Sequence, residues 1–470
     1  MVAVLANASG TLKSPMRIGR HTSSICKITF LVATVISAQA QNFADIKPTP
    51  AQLQWQDLEI GVIIHFSTNT FLNREWGDGT ADPSVFNPTH VDTDQWMQAA
   101  KSAGAKYVVL VAKHHDGFCL WPSKQTEYSV KKSPWLDGKG DLVRLASDSA
   151  RRAGLGFGIY LSPWDRHDSR YPDPAAYDKY YLAQLDELAT HYGPLTEFWL
   201  DGAGSAGRTY DFDKIIQELR TYQPNTLVFA DVALYKYADI RWVGTESGTV
   251  PYENWNVIDR TGYLRWRPVE ADTPLRKSHW FWHPNDEASL HSIDELLSIY
   301  NETVGRGAQL MLGLAPDNTG RIPDSDAKRL QEFGEAIRRI YALNLVAESG
   351  TVEDKAAAAA TDNDASTFWS APPRHATLEV TFAKPTTFDR AVTMEWLNEG
   401  QRVEDYTIEA FQNGAWKPLV HAKAIGHKKI DIFPPTTTQR VRLNLLSTTG
   451  SAAIREFQLY NGSTTAPHAR

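Results

Sequence analysis

From residue 60 onward the chain alternates between two kinds of segment. Short runs rich in β-branched and aromatic residues occupy 61–67 (GVIIHFS), 107–113 (YVVLVAK), 156–162 (GFGIYLS), 197–200 (EFWL), 227–230, 240–244 (IRWVG), 279–282 and 309–314 (QLMLGL). Between most of them lie stretches with apolar residues at helical spacing, at 94–103, 141–153, 175–192, 213–222 and 292–304. Strands without polar alternation are buried on both faces, and intervening helices supply the cover, so the pattern predicts a parallel sheet. Eight such runs fit a (β/α)8 barrel better than an open doubly wound sheet, and no glycine-rich loop of the dinucleotide type is present. One unit is irregular. Only about ten residues separate the fifth and sixth runs, too few for a crossover helix.

Past a helical stretch at 324–341, with Leu330, Phe333, Ile337 and Ile340 on its apolar face, the period changes. An alanine run at 356–360 is followed by alternating segments at 376–382, 406–412, 429–433 and 441–445 with turn residues between them. Short strands at that spacing predict a β-sandwich. The fold class is therefore α/β, with a (β/α)8-like catalytic barrel over 43–343, a C-terminal β-sandwich over 345–461 and a flexible tail over 462–470.

The other terminus reads differently. Residues 1–40 contain Lys13, Arg17, Arg20 and Lys27 but no acid, and run through an apolar stretch at 28–36 into Ser37-Ala38-Gln39-Ala40. A basic head, a short apolar core and an A-x-A ending predict a secretory signal peptide, too short for a membrane span. Met16 is an alternative start that would give a more ordinary leader. The expected location is periplasmic or secreted, in a bacterium, with no membrane association once the leader is gone. Its removal changes the balance from −7 to 44 basic against 55 acidic groups, and leaves Cys119 as the single cysteine. An exported chain without an internal disulfide must be held by its core. Its aromatic content of 11%, including 15 Trp, supplies apolar surface for one, and the acidic balance excludes a nucleic-acid partner.

Chemistry concentrates where a barrel would place it. The C-terminal ends of the runs carry His65; His114, His115 and Asp116; Tyr160; Asp201; Asp231; Glu246; and His283. A sheet built only for stability does not need an ionisable group at nearly every strand end, so this distribution points to an enzyme. Asp201 and Glu246 project from different strands into one mouth, as retaining glycoside hydrolysis requires of its nucleophile and its acid/base. Glu253 and Asp231 are rivals for the acid/base. His114-His115 lacks the H-x-H spacing with which one strand face grips an ion, and imidazoles bind sugar hydroxyls equally well, so no metal and no cofactor are expected. Glu75 and Trp76 follow the first run, and Trp280 and Trp282 share one face of the seventh. Their flat apolar rings suit a 6-deoxy sugar.

Five strings together resemble the α-L-fucosidases of glycoside hydrolase family 29: Ile64-His65-Phe66, Glu75-Trp76-Gly77, Lys113-His114-His115-Asp116-Gly117-Phe118, Gly158-Ile159-Tyr160-Leu161-Ser162 and Phe198-Trp199-Leu200-Asp201-Gly202. They fall in order over about residues 50–320. The resemblance implies a retaining mechanism with Asp201 as nucleophile, and substrate binding by His65, Glu75, Trp76, His114, His115 and Tyr160. Arg241-Trp242-Val243-Gly244-Thr245-Glu246 looks like the branch that prefers α-1,3 and α-1,4 fucose, in which this Glu is the acid/base; that branch more often carries Asn at the position of Thr245. The C-terminal sandwich resembles a discoidin-like carbohydrate-binding domain. The implied partner is a fucosylated oligosaccharide or glycoconjugate, and the oligomeric state is left open. Two readings of other classes compete: a metal-dependent barrel hydrolase, for which His65 lacks a partner, and a secreted fucose-binding lectin, which has no need of two carboxylates.

Overall fold

The computed structural model describes residues 43–462, except 206, 231–235 and 259–263. The expected leader at 1–40 and the expected tail from 463 lie outside the described residues. Eight parallel strands close into a barrel: β1 (Ile60–Ile64), β2 (Tyr107–Lys113), β3 (Gly156–Leu161), β4 (Glu197–Leu200), β5 (Leu227–Ala230), β6 (Ile240–Trp242), β7 (Val269–Pro274) and β8 (Gln309–Leu314). Each pairs with its successor, and β8 returns to β1 in the register Ile60↔Leu310 to Ile64↔Leu314.

The period of two along these strands sorts side chains into two cores. Ile63, Tyr107, Val109, Val111, Tyr160, Trp199, Phe229 and Met311 fill the barrel interior. Their neighbours Val62, Ile64, Val108, Leu110, Ile159, Phe198 and Leu200 face outward into the layer covered by helices. Those helices begin where a side chain can take up their free N–H groups. α1 (Pro50–Gln56) and α7 (Ile293–Thr303) start with capping boxes from Thr49 and Ser292. Asp92, Asp141, Asp173 and Asp211 cap α3 (Thr93–Ser102), α4 (Leu142–Ala153), α5 (Pro174–His191) and α6 (Phe212–Tyr222). A one-turn helix, α2 (Thr68–Leu72), follows β1, and α8 (Asp324–Ile340) completes the ring.

The seventh strand departs from the pattern reading. It is Val269–Pro274 (VEADTP), whereas 279–282 lies in the loop beyond it. The strand is masked in the sequence because its inward positions are Glu270 and Asp272 and its last residue is Pro274. Both acids are buried. Glu270 is paid for by hydrogen bonds from the Tyr107 hydroxyl (2.9 Å) and the Trp199 indole (2.9 Å). In the loop, Arg276 grips the Asp326 carboxylate with two bonds of 2.8 and 2.9 Å, both partners buried, and so ties the strand's exit to the start of α8. Between β6 and β7 the described residues hold a two-stranded ribbon, Val257–Ile258 against Arg265–Trp266, in place of a covering helix.

Beyond α8 the chain forms an antiparallel β-sandwich domain with its own core, built around Leu378, Val380, Tyr406, Ile408, Leu443 and Phe457. Its longer strands are β9 (Ala376–Glu395), β10 (Val403–Gln412), β11 (Ala415–Ala422), β12 (Lys429–Thr448) and β13 (Ala453–Tyr460). β12 runs through what the sequence pattern separates into two shorter strands, and β9 extends well past the expected segment at 376–382. They pair along their length with register shifts between Thr381 and Thr386 and between Phe388 and Arg390, where bulges let a long strand bend. Polar bonds join the domain to the barrel: Gln401 meets Asn256, Tyr252 donates to Asp431 at 2.7 Å, and Arg455 pairs with Asp57 at 2.9 Å.

At the C-terminal end of β2 sits a wholly buried ion pair. The Lys113 ammonium, 0% exposed, reaches Asp165 at 3.1 Å and Gln184 at 2.9 Å, among the rings of Tyr177, Tyr180 and Tyr181. Asp165 in turn accepts the backbone N–H groups of His167 and Asp168. Removing one member strands a buried charge. Lys113→Met should therefore cost about 3–5 kcal/mol of stability in urea unfolding, and adding Asp165→Asn should recover part of the loss.

Candidate active site

The barrel opens at the C-terminal ends of its strands into a cavity of about 250 Å³. Its walls include His65, Trp76, His114, His115, Tyr160, Asp201, Glu246 and Trp280, all singled out from the sequence. The volume lies under the ~300–1,000 Å³ usual for drug-sized ligands and fits one small ring.

Asp201 follows β4 in the inward phase set by Glu197 and Trp199, and is 24% exposed. Its Oδ1 accepts the Ala203 N–H at 2.8 Å and its Oδ2 the Tyr160 hydroxyl at 2.9 Å. Two donors from opposite sides fix the carboxylate plane while leaving it open to the cavity. Glu246, in the loop after β6, is exposed at the rim and lines the same cavity. Its loop is pinned at both ends to β7, by Val243 N–H on the Glu270 carbonyl and Gly248 N–H on the Asp272 carbonyl, each at 3.0 Å.

Three imidazoles face Asp201 across the mouth. Burial holds His65 down at about 3, aided by the neighbouring His115, and pushes His114 well below its ordinary value. Burial also lowers His115, against the opposing pull of Asp201. At neutral pH each is therefore an uncharged ring with one donor and one acceptor. The tautomer of His115 follows from its neighbours. Ser162 Oγ donates its proton to the Trp164 carbonyl at 2.7 Å, so at 2.8 Å from His115 Nδ1 it can only accept. His115 then carries its proton on Nδ1, and its bare Nε2 lies 3.5 Å from the Tyr160 hydroxyl and 3.6 Å from Asp201 Oδ2. The buried Nδ1 atoms of His65 and His114 have no partner among the described residues. The rings of His65 and His114 meet edge to face at 5.9 Å, and among the described residues no three His, Cys, Asp or Glu side chains form a group that could hold a metal ion.

Rings complete the walls. Trp76 is 52% exposed at the rim, edge-on to His115 at 5.3 Å. Trp280 packs on His65 at 5.1 Å between their centroids. Glu75 stands behind this wall and does not line the cavity: its oxygens accept the N–H groups of Trp280 (2.8 Å) and Phe281 (3.2 Å) and meet His283 Nε2 at 2.6 Å. It clamps the loop that presents Trp280. Trp282, half-buried in the same loop, is not among the residues lining the cavity, because 280 and 282 share no strand face. Asp116 is turned away to accept the Thr68 hydroxyl at 2.8 Å, and burial raises it to about 6. Glu253 accepts the Lys423 N–H at 3.3 Å at the sandwich boundary, far from a role in the cavity wall, and Asp231 lies outside the described residues.

Sequence reasoning missed Trp199, Phe229, Trp242 and Asp272, all of which line the cavity. Trp199 stacks between Tyr160 (5.5 Å) and Phe229 (3.6 Å) and forms the floor. Its position two residues before Asp201 on the same strand face was a readable signal. Asp272 was hidden with the rest of β7.

A closed parallel barrel whose mouth is lined by carboxyl groups, imidazoles and aromatic rings has the form of a barrel glycoside hydrolase. Comparison narrows the class. The alpha-L-fucosidase family profile matches residues 80–339, and an F5/8 type C domain profile matches 345–457. The chain belongs to the alpha-L-fucosidase family. It is 36% identical to Alpha-L-fucosidase 1 of Arabidopsis thaliana over 417 residues, covering 82% of this chain and 81% of that protein. A putative alpha-L-fucosidase of Bacteroides thetaiotaomicron superposes with a TM-score of 0.85 at 32% identity, over 91% of this chain and 100% of that one. A Ruminococcus gnavus GH29 fucosidase solved in complex with fucose superposes with a TM-score of 0.82 at 27% identity, over 91% and 97% of the two chains.

The tautomer assignment is directly testable. Nitrogen NMR of wild type should show His115 protonated on Nδ1. Ser162→Ala should shift the signal toward the other tautomer and lower kcat about 3- to 30-fold, as losing one oriented hydrogen bond implies.

Proposed function

We propose that the protein is an exo-acting, retaining α-L-fucosidase that removes terminal fucose from α-1,3 and α-1,4 linkages of fucosylated glycans. The observation that carries this reading is Asp201, fixed by Tyr160 and Ala203 at the edge of a one-ring cavity whose rim carries Glu246 on the loop after β6. In the first step an Asp201 oxygen attacks C1 as the C1–O bond breaks, and Glu246 gives its proton to the departing oxygen. In the second, Glu246 takes a proton from water, whose oxygen attacks C1 and releases Asp201, so two inversions restore the α configuration. Neutral His65, His114 and His115 support the binding of sugar hydroxyls, and the unpartnered Nδ1 atoms of His65 and His114 leave hydrogen bonds for a ligand to complete. Trp76, Trp199 and Trp280 offer apolar surface to the ring and its 6-methyl group.

Asp201→Gly should abolish turnover of an aryl fucoside, and azide should restore part of it with a β-fucosyl azide product. Glu246→Ala should still form the intermediate from a good leaving group but hydrolyse natural glycans at least about 100-fold more slowly, the usual worth of general acid catalysis. Release of glycan fucose by Glu246→Ala at the wild-type rate would move the acid/base assignment elsewhere.

The string ending in Glu246 supports the linkage preference, and a panel of α-1,2, α-1,3, α-1,4 and α-1,6 fucosylated oligosaccharides tests it. Fastest cleavage of the α-1,3 and α-1,4 members is expected, and fastest cleavage of the α-1,2 member would overturn it. The signal-like character of residues 1–40 supports export, with a mature chain that starts at Gln41 on N-terminal sequencing.

A further inference from the structure

One carboxyl group in the cavity has no part in the two-step reaction. Asp272 lies on β7, 4% exposed, and lines the cavity together with Asp201 and Glu246. Its Oδ1 accepts the Trp242 indole N–H at 2.6 Å. Among the described residues no other residue donates to its Oδ2. The backbone around it is fixed, by pairing with Met311 of β8 and by the Gly248 N–H that the Asp272 carbonyl accepts at 3.0 Å. That second bond also anchors the loop carrying Glu246, so Asp272 sits between the barrel floor and the rim acid. A side chain held this firmly, with one oxygen spent on another residue and the other on none, has the form of a ligand contact.

We propose that Asp272 binds the sugar directly, donating a hydrogen bond from Oδ2 to one ring hydroxyl, and so helps to determine which sugar the cavity accepts. The proposal rests on the fucosidase reading above. The proton for this bond is available. Burial raises the Asp272 carboxyl well above its ordinary value, and the charges of Glu270 and Glu246 raise it further. Glu270 is itself buried and pushed well up by burial and by Glu197. Burial thus favours the protonated form of Asp272, in which Oδ2 can donate where a carboxylate could only accept. A site that donates to a particular hydroxyl discriminates against sugars that lack it, since the buried group is then left unpaired.

Asp272→Asn and Asp272→Ala separate this role from mere support of Trp242. Asn keeps a neutral donor and an acceptor in the same shape and should retain kcat/KM within about threefold on nitrophenyl fucoside. Ala should lose about 10- to 100-fold, the worth of one buried hydrogen bond. The decisive comparison uses the 2-, 3- and 4-deoxy nitrophenyl fucosides. For the one sugar lacking the contacted hydroxyl, the Ala variant should match wild type, and for the others the penalty should persist. An Ala penalty equal across the whole series would overturn the proposal, because a structural role is blind to which hydroxyl is missing. A tenfold or greater loss in the Asn variant would overturn it too, and that variant decides the question if Ala does not fold. Wild type that releases no nitrophenol from the parent fucoside would instead overturn the fucosidase reading, before any variant is compared.

Discussion

The ammonium of Lys113 is out of reach of water, so every bond it makes must come from protein, and that requirement ties together β2, the loop after β3 and α5. The site is built on this tie. The next two residues are His114 and His115. The loop held by Asp165 carries Trp164, against which His115 packs at 5.1 Å, and Arg166, whose N–H donates to the His115 carbonyl at 2.9 Å. The six residues from Lys113 to Phe118 then divide the work: one ion for the interior, two imidazoles for the cavity, and Asp116 to hold α2 through Thr68. Gly117 has φ +85° and lies against the Asp165 carboxylate, where a Cβ would collide with Oδ1. Phe118 packs on Phe86 and Tyr128. A string so specific in sequence reflects a different physical demand at each position.

The cavity keeps most of its ionisable groups neutral. Burial disfavours charge on His65, His114, His115 and Asp272 alike, although imidazoles and acids shift in opposite directions. Asp201 is the exception in its surroundings, placed at the open edge with a hydrogen-bond donor for each oxygen. Neutral walls suit a neutral sugar, because they offer directional hydrogen bonds without the desolvation cost of buried charge. Asp201 is the carboxylate among them that two donors orient while its edge stays open to the cavity.

The barrel was legible wherever its strands were apolar. β1 to β5 and β8 declare themselves by uninterrupted β-branched and aromatic runs, and the helices between them by their apolar spacing. β7 was not legible, since a strand that carries Glu270 and Asp272 inward has the composition of a loop; only its closed neighbours make two buried acids affordable. That one error propagated. Placing 279–282 on a strand put Trp280 and Trp282 on a common face, whereas the loop turns Trp280 alone into the cavity. In the sandwich, β9 and β12 bend through bulges, so β12 read as two short strands and β9 only as its first segment, 376–382. Glu75 was found by its string, but its clamp on the Trp280 loop spans more than two hundred residues and no local pattern could reveal it.

In the proposed mechanism Asp201 forms a covalent bond to the anomeric carbon of fucose. A 2-deoxy-2-fluoro-fucosyl fluoride slows both steps and the second more, so the intermediate accumulates and can be read by mass spectrometry of the digested protein. One fucosyl adduct is expected, on the peptide containing Asp201, and it should disappear in Asp201→Gly. An adduct on Glu246, or inactivation without any adduct, would contradict it.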